Sequence, residues 1–406
     1  MFKTEYRKII SVLCKHFGFD RIAVAEDIAS DTFLTAAETW GQKSIPPNPV
    51  AWLYNVARNK AKNQLLREAN FANKISKELG APADNNTLEI DLSPENINDS
   101  QLQMMFAICN PAIPTDAQIG LSLRILCGFG IAEIAEAFLT STETINKRLF
   151  RAKEKLRDEK IQIEIPGPSE MDNRLGAVLT TIYLLFSEGY YSSTRDQLIR
   201  KELCLEAMRL CLMLVENRIT NKPEANALLS LMCFHSSRFD ARTNREGQLV
   251  IYEEQDTSLW DTELIRKGEY FLNCAATGNK LSRYHIEAAI AYWHTHKADT
   301  GEKWENILQL YNQLLQIQYS PVAALNRTFA LSKANGKPEA IAEAEKLNLT
   351  GNHLYYSLLG NLYTGIDNEK AIKYLKKAIA LAKTQVEKNS IRVVMEKING
   401  HTFPAG

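Results

Sequence analysis

At 406 residues the chain is too long for one ordinary helical domain, so about two to four folding units with a sizeable core are expected. Its 48 basic residues equal its 48 acidic ones, which excludes a whole-molecule field drawing it to nucleic acid or an anionic membrane; any DNA affinity must come from local patches. The N-terminus is charged and amphipathic, no apolar run approaches bilayer length, and the seven cysteines are scattered without a Cys-x-x-Cys pair. These features predict a cytoplasmic protein in a reducing compartment, with no membrane partner.

Strand-type alternation is nearly absent while helical periodicity recurs, so the expected fold class is all-α. Two small helical domains joined by a flexible linker are expected to precede a larger α-helical domain. The first domain, residues 1–73, holds helical segments at Tyr6–Phe17, Ile22–Trp40 and Val50–Asn73, separated by Gly18-Phe19-Asp20 and by the proline-rich turn Lys43–Pro49. The stretch Ala51–Arg67 is basic without an acidic residue, and aromatics Trp52 and Tyr54 and amides Asn59 and Asn63 lie beside cations Arg58, Lys60 and Lys62. Aromatic faces and amide edges next to phosphate-binding charge suit unstacked bases of a melted strand. Residues 74–100 shift to Pro, Asn and acid, and from Gly80 on they contain no Lys or Arg, which predicts an acidic flexible linker.

The second domain, residues 101–160, contains Ala132–Lys153, which reads as two short helices joined by a tight turn, a helix-turn-helix. Ile134, Ala135 and Phe138 mark the buried side of the first helix, and Ile145, Leu149 and Ala152 that of the second. Ser141 stands where the second helix needs a cap. The free side carries Asn146, Lys147, Phe150 and Arg151, with Arg148 and Lys153 at its margins. The cluster Ile165-Pro-Gly-Pro168 closes this domain, and residues 169–398 form the third region. Near its end Pro321–Ala334 with Lys337–Leu347, and Leu354–Tyr363 with Asn368–Lys383, form helix pairs carrying small residues where close contact requires them. Such pairs must stack to bury their apolar faces, as tetratricopeptide (TPR) repeats do.

Enzyme signatures are weak. His294-Thr-His296 places imidazoles that diverge on a helix, Gly128-Phe-Gly130 lacks the third glycine of a dinucleotide loop, and no serine sits in a nucleophile elbow. No catalytic residue, metal site or cofactor is expected.

Three motifs resemble the sigma-70 family of bacterial RNA polymerase sigma factors, in its extracytoplasmic-function (ECF) branch. Pro49–Asn59 is similar to the region-two helix that engages the minus-ten element, Glu26–Phe33 to the preceding helix that docks on the polymerase clamp, and Glu133–Phe138 with Thr144–Lys153 to region four, which reads the minus-35 element. The likeness implies an alternative sigma factor, not an enzyme, that binds core RNA polymerase and promoter DNA. It implies minus-35 contacts by Asn146, Lys147, Arg148, Phe150, Arg151 and Lys153, with Arg148 and Lys153 on phosphates. It implies minus-ten contacts by Trp52, Tyr54, Arg58, Asn59, Lys60, Lys62 and Asn63, and polymerase contacts by Asp27, Asp31, Phe33 and Leu34. Segments Met105–Ala112, Ile182–Tyr191, Gln255–Asp261 and Ser320–Arg327 resemble sigma factors with a TPR-like C-terminal extension, implying a regulatory domain that meets a protein or a ligand. Where many members have Asp-Gln-Asp-Arg, this chain has Glu254-Gln-Asp-Thr257. The rival class is a one-component helix-turn-helix transcriptional regulator with a C-terminal sensing domain; it needs neither the Trp-Leu-Tyr helix nor the clamp helix.

Overall fold

Helix signals along the chain become helices nearly everywhere in the computed structural model, which describes residues 2–79, 90–138, 140–190, 200–242, 250 and 252–400. The described residues are all-helical apart from turns and connections, and they fall into two compact units, Met1–Leu184 and Leu185–Gly406.

In the first unit, α1 (Phe2–Phe17), α2 (Ile22–Gln42) and α3 (Pro49–Leu79) are followed by α4 (Pro94–Ile108). Tyr6, Ile9, Ile10, Leu13 and Cys14 recur at helical spacing on α1, and all are buried where that helix packs on α2, α3 and α4. Residues 80–89 of the expected linker lie outside the described residues. Of the flanking stretches, Lys74–Leu79 continues α3, and the acidic run has already turned helical at Pro94. Ser93 caps α4 by accepting from the Asn96 amide, Pro94 occupies the first turn, and Ile90 and Leu92 are buried ahead of it. Acidic composition is compatible with helix here because Ile97, Leu102, Met105 and Phe106 supply the buried face.

The chain continues through α5 (Thr115–Leu121), a π-type turn at Ser122–Leu126, α6 (Ile131–Ala137), α7 (Thr142–Asp158) and α8 (Met171–Tyr190). The first half of α8 belongs to this unit: Arg174 donates to the Phe106 carbonyl at 2.6 Å and Thr181 to Gln118 at 2.8 Å. The unit therefore extends past the proline cluster at 166–168.

The second unit holds α9 (Lys201–Glu216), α10 (Pro223–Ser236), α11 (Thr262–Ala275), α12 (Arg283–Trp293) and α13 (Gly301–Ile317), then α14 (Pro321–Ala334), α15 (Lys337–Leu347), α16 (His353–Tyr363), α17 (Asn368–Leu381) and α18 (Gln385–Gly400). From α12 onward each helix packs on its sequence neighbours, the arrangement of a helical solenoid. Ala330, Ala340, Ala344, Ala371 and Ala378 are wholly buried between these helices. Gly360 is a tight point between α16 and α17, since a Cβ there would stand 2.6 Å from the Leu375 side chain. All seven cysteines are free, and six are buried as small core residues. Among the described residues no helix is long and apolar enough to cross a membrane.

Candidate nucleic-acid interface

Helix α7 is seated by Ile145, Leu149, Ala152 and Leu156, all buried against the rest of the first unit. Ser141 Oγ accepts from the Thr144 amide at 3.1 Å, and at the start of α6 the Gly130 amide donates to Glu133 at 2.7 Å. Both helices of the helix-turn-helix are thus capped by their own side chains. With that apolar stripe fixed, Asn146, Lys147, Phe150 and Arg151 are left exposed, Phe150 at 62%. Its ring stands in solvent among cations and an amide and adds nothing to the buried core. Phe138 is half-buried beneath the Arg148 guanidinium, 5.2 Å from its ring centroid.

The marginal cations are occupied within the protein. Arg148 pairs with Asp116 at 3.2 Å, Lys147 with Glu143 at 2.6 Å, and Lys153 with Glu26 of α2. Glu26 also takes Arg124, at 3.3 Å, so one carboxylate serves two cations whose side chains are mostly buried. Sequence reasoning missed both Glu26 and Arg124. The available signal was Arg124 itself, a single cation inside the apolar run Ile119–Cys127. The side of α7 bearing Asn146, Lys147 and Phe150 lines a cleft of about 610 Å³ whose opposite wall includes Phe19, Asp20 and Ile22. The reading face therefore looks into the first unit's own cleft.

On α3, Leu53, Ala57 and Ala61 are buried, which turns Arg58, Asn59, Lys62 and Asn63 outward. Trp52 is half-buried, its ring 5.4 Å from Trp40. Tyr54 is half-buried too, and its hydroxyl donates to Glu5 at 2.7 Å; burial first and then that carboxylate push its pKa up. Arg58 donates to the Ile90 carbonyl at 3.2 Å, and Lys60 pairs with Asp31. Of the α3 cations named from sequence, Lys62 alone makes no ion pair or hydrogen bond among the described residues.

The residues expected to meet polymerase lie along α2. Asp27 and Asp31 are exposed, Leu34 is 57% exposed, and Phe33 is half-buried with its ring 4.7 Å from Phe2. An exposed leucine beside two carboxylates suits a basic, partly apolar partner helix. Elsewhere, the two histidines lie in the turn after α12 and not on a helix as expected; His294 contacts Tyr252 and Trp304 while His296 contacts Tyr292 and Trp293, so the imidazoles meet different rings. Among the described residues no group of three or more His, Cys, Asp or Glu could hold a metal ion.

Comparison with known proteins follows the same division of the chain. Residues 1–71 match the family described as sigma-70 region 2 and residues 112–156 match sigma-70 region 4, while residues 174–276 match a family of unknown function, DUF6596. An uncharacterized protein of Rhizobium meliloti is 33% identical over 387 residues, spanning 94% of this chain and 91% of its own length. The ECF RNA polymerase sigma-E factors of Salmonella typhimurium and Salmonella typhi are 27% identical over 143 residues, 34% of this chain and 73% of theirs. No solved structure matches.

Proposed function

Since this chain belongs to the sigma-70 family and is an alternative sigma factor that binds core RNA polymerase and promoter DNA, we propose how its residues divide that work. Helix α7 enters the major groove of the minus-35 element, where Asn146 pairs with a base edge, Lys147 and Arg151 reach guanine or phosphate, and Phe150 meets a thymine methyl. Arg148 and Lys153 hold phosphates once their carboxylate partners are released. On α3, Trp52, Tyr54, Asn59 and Asn63 take bases of the opened minus-ten strand, with Arg58, Lys60 and Lys62 on its backbone. Asp27, Asp31, Phe33 and Leu34 dock on the polymerase clamp. The observation that carries this assignment is the exposed Phe150 on a capped, basic helix whose apolar stripe is already buried.

The cleft in front of α7 adds a step. Because Glu26 ties α7 to α2, the first unit must open before α7 can enter duplex DNA, and docking of α2 on polymerase supplies the occasion. The region after residue 168 acts as a regulatory domain that meets a protein or a ligand, and the assembly works in the cytoplasm, where polymerase is. Run-off transcription with purified core polymerase, on templates from upstream of the protein's own operon, tests the reading. Promoter-specific transcripts are expected. Their absence, together with tight duplex binding by the protein alone, would favour a one-component regulator. A chain ending after Tyr190, which preserves the α8 contacts to Phe106 and Gln118, tests the regulatory role: unchanged transcription would remove it.

A further inference from the structure

The second unit contains an arginine in an unusual position. Arg238 is only 8% exposed, yet among the described residues its guanidinium makes no hydrogen bond and no ion pair, and its Nε is buried without an acceptor. An aromatic face lies against it: Cζ is 5.5 Å from the centroid of Tyr252. Two further cations converge on that ring, Lys297 Nζ at 5.3 Å and Lys303 Nζ at 5.0 Å. Lys303 is 1% exposed and donates to the Tyr252 hydroxyl and to the His296 carbonyl, while Lys297 donates to the carbonyls of Tyr252 and Gln255. Two neutral polar groups complete the cluster. Trp260 Nε1 and His294 Nδ1 are buried without hydrogen-bond partners, and the His294 ring packs 5.2 Å from Tyr252.

Among the described residues no carboxylate pairs with Arg238. Asp256 acts on Lys297 while holding Ser258, Asp299 accepts from Trp304, pairs with Lys333 and acts on Lys303, and Glu254 pairs with Lys397. A cation–π contact returns only part of what burying a guanidinium costs. The cluster also holds both neighbouring imidazoles neutral: burial first, then Arg238, lowers the pKa of His235 and of His294. A buried guanidinium that meets no carboxylate among the described residues, set against a tyrosine ring with two further cations, suits an anion.

We propose that Arg238, Lys297, Lys303, His294 and Trp260 form a binding site around Tyr252 for a small phosphate-bearing molecule. Three cations face one ring; Asp256 acts on Lys297 and Asp299 on Lys303, and the charge left at Arg238 suits a phosphate group, whose several oxygens can accept from all three donors. The guanidinium supplies the fork that phosphate oxygens accept in pairs. This site does not depend on the promoter assignment, because it is tested on the full chain without polymerase or DNA.

The test is thermal unfolding and ³¹P line broadening of the full-length protein with inorganic phosphate and pyrophosphate, against potassium chloride and acetate at matched ionic strength. The expected result is a saturable rise in Tm and broadening with the phosphates alone. Arg238→Met should weaken both at least tenfold without lowering the Tm of the unliganded protein, since it removes an uncompensated charge at similar volume. The line-broadening arm needs no variant, so a variant that fails to fold leaves the proposal testable. No saturable effect of either phosphate, an equal effect of acetate, or full retention of the effect in Arg238→Met would overturn it.

Discussion

Replacing Glu26 by Gln preserves the size of the side chain and removes the charge that serves both Lys153 and Arg124. The three side chains retain between 16% and 21% exposure. An exposed ion pair is worth about 0–1 kcal/mol, whereas breaking a fully buried one costs about 3–5 kcal/mol. The partial burial here puts the loss between those limits, at about 2 kcal/mol, or roughly 30-fold in the closed-to-open ratio. A protein whose competent form is a minor fraction binds with an affinity reduced by that fraction. The free variant should therefore bind a duplex carrying its mapped minus-35 element up to about 30-fold more tightly than the parent. Fluorescence anisotropy at one fixed salt concentration reads this directly, and the salt must be fixed because phosphate contacts make affinity steeply salt-dependent. Asp27→Asn, an exposed charge change on the same helix, serves as the control. Equal affinity of Glu26→Gln and parent, with helicity intact by circular dichroism, would refute the claim that closure limits access to DNA.

Leu34→Glu should leave stability within about 0.5 kcal/mol, because the side chain is 57% exposed, while lowering affinity for core polymerase in a pull-down titration; unchanged affinity would remove Leu34 from the clamp surface. Gly128 has φ +73°, and a Cβ there would lie 2.7 Å from the Lys3 carbonyl oxygen, so Gly128→Ala should cost about 2 kcal/mol or more in urea denaturation. A midpoint equal to the parent's would contradict that crowding. Burial first, then Arg238 and Lys303, holds the His294 pKa at about 3, against about 6.5 in an unfolded chain. The unfolded state thus takes up a proton that the native state refuses: the stability due to neutral His294 is complete above about pH 6.5 and is lost as pH falls toward 3, by up to about 1.4 kcal/mol per pH unit. Denaturation at about pH 7.5 and about pH 5.5 should show a shallower pH dependence for His294→Asn than for the parent, and identical slopes would count against a neutral buried imidazole.

Periodicity and capping made the helix-turn-helix and the late helix pairs legible in the sequence. Ile145, Leu149 and Ala152 recur at helical spacing behind Ser141, and α14 and α15 begin at Pro321 and Lys337 as their prolines and flanking residues suggest. The acidic run was less legible, because composition argued for extension while a serine cap, an N1 proline and a buried stripe argued for the helix that forms at Pro94. Apart from Lys147, whose partner Glu143 stands four residues before it on α7, the partners of the predicted cations could not be read. Glu26 and Lys153 are 127 residues apart, and nothing local records that they meet. The same holds for Arg238 and Tyr252, whose contact depends on how α10 and the turn before α11 come together.

Two of the hidden pairs, Asp31 with Lys60 and Glu26 with Lys153, would link polymerase binding to promoter binding under the proposed assignment. In the proposed assignment Asp31 belongs to the clamp and Lys60 to the DNA backbone, yet in the free protein they hold each other, just as Glu26 holds Lys153. Any partner that captures the carboxylate releases the lysine for phosphate, and DNA that captures the lysine releases the carboxylate, so the two binding events favour each other reciprocally. The strengths differ with burial. Asp31 is 56% exposed, so its pair is worth at most about 1 kcal/mol, roughly a fivefold coupling. Glu26, mostly buried and serving two cations, carries the larger share. The balance of 48 basic and 48 acidic residues then acquires a physical meaning. Lys60, Lys147, Arg148 and Lys153 each face a carboxylate of the same unit, and under the proposed assignment this would weaken non-specific duplex binding by the free protein.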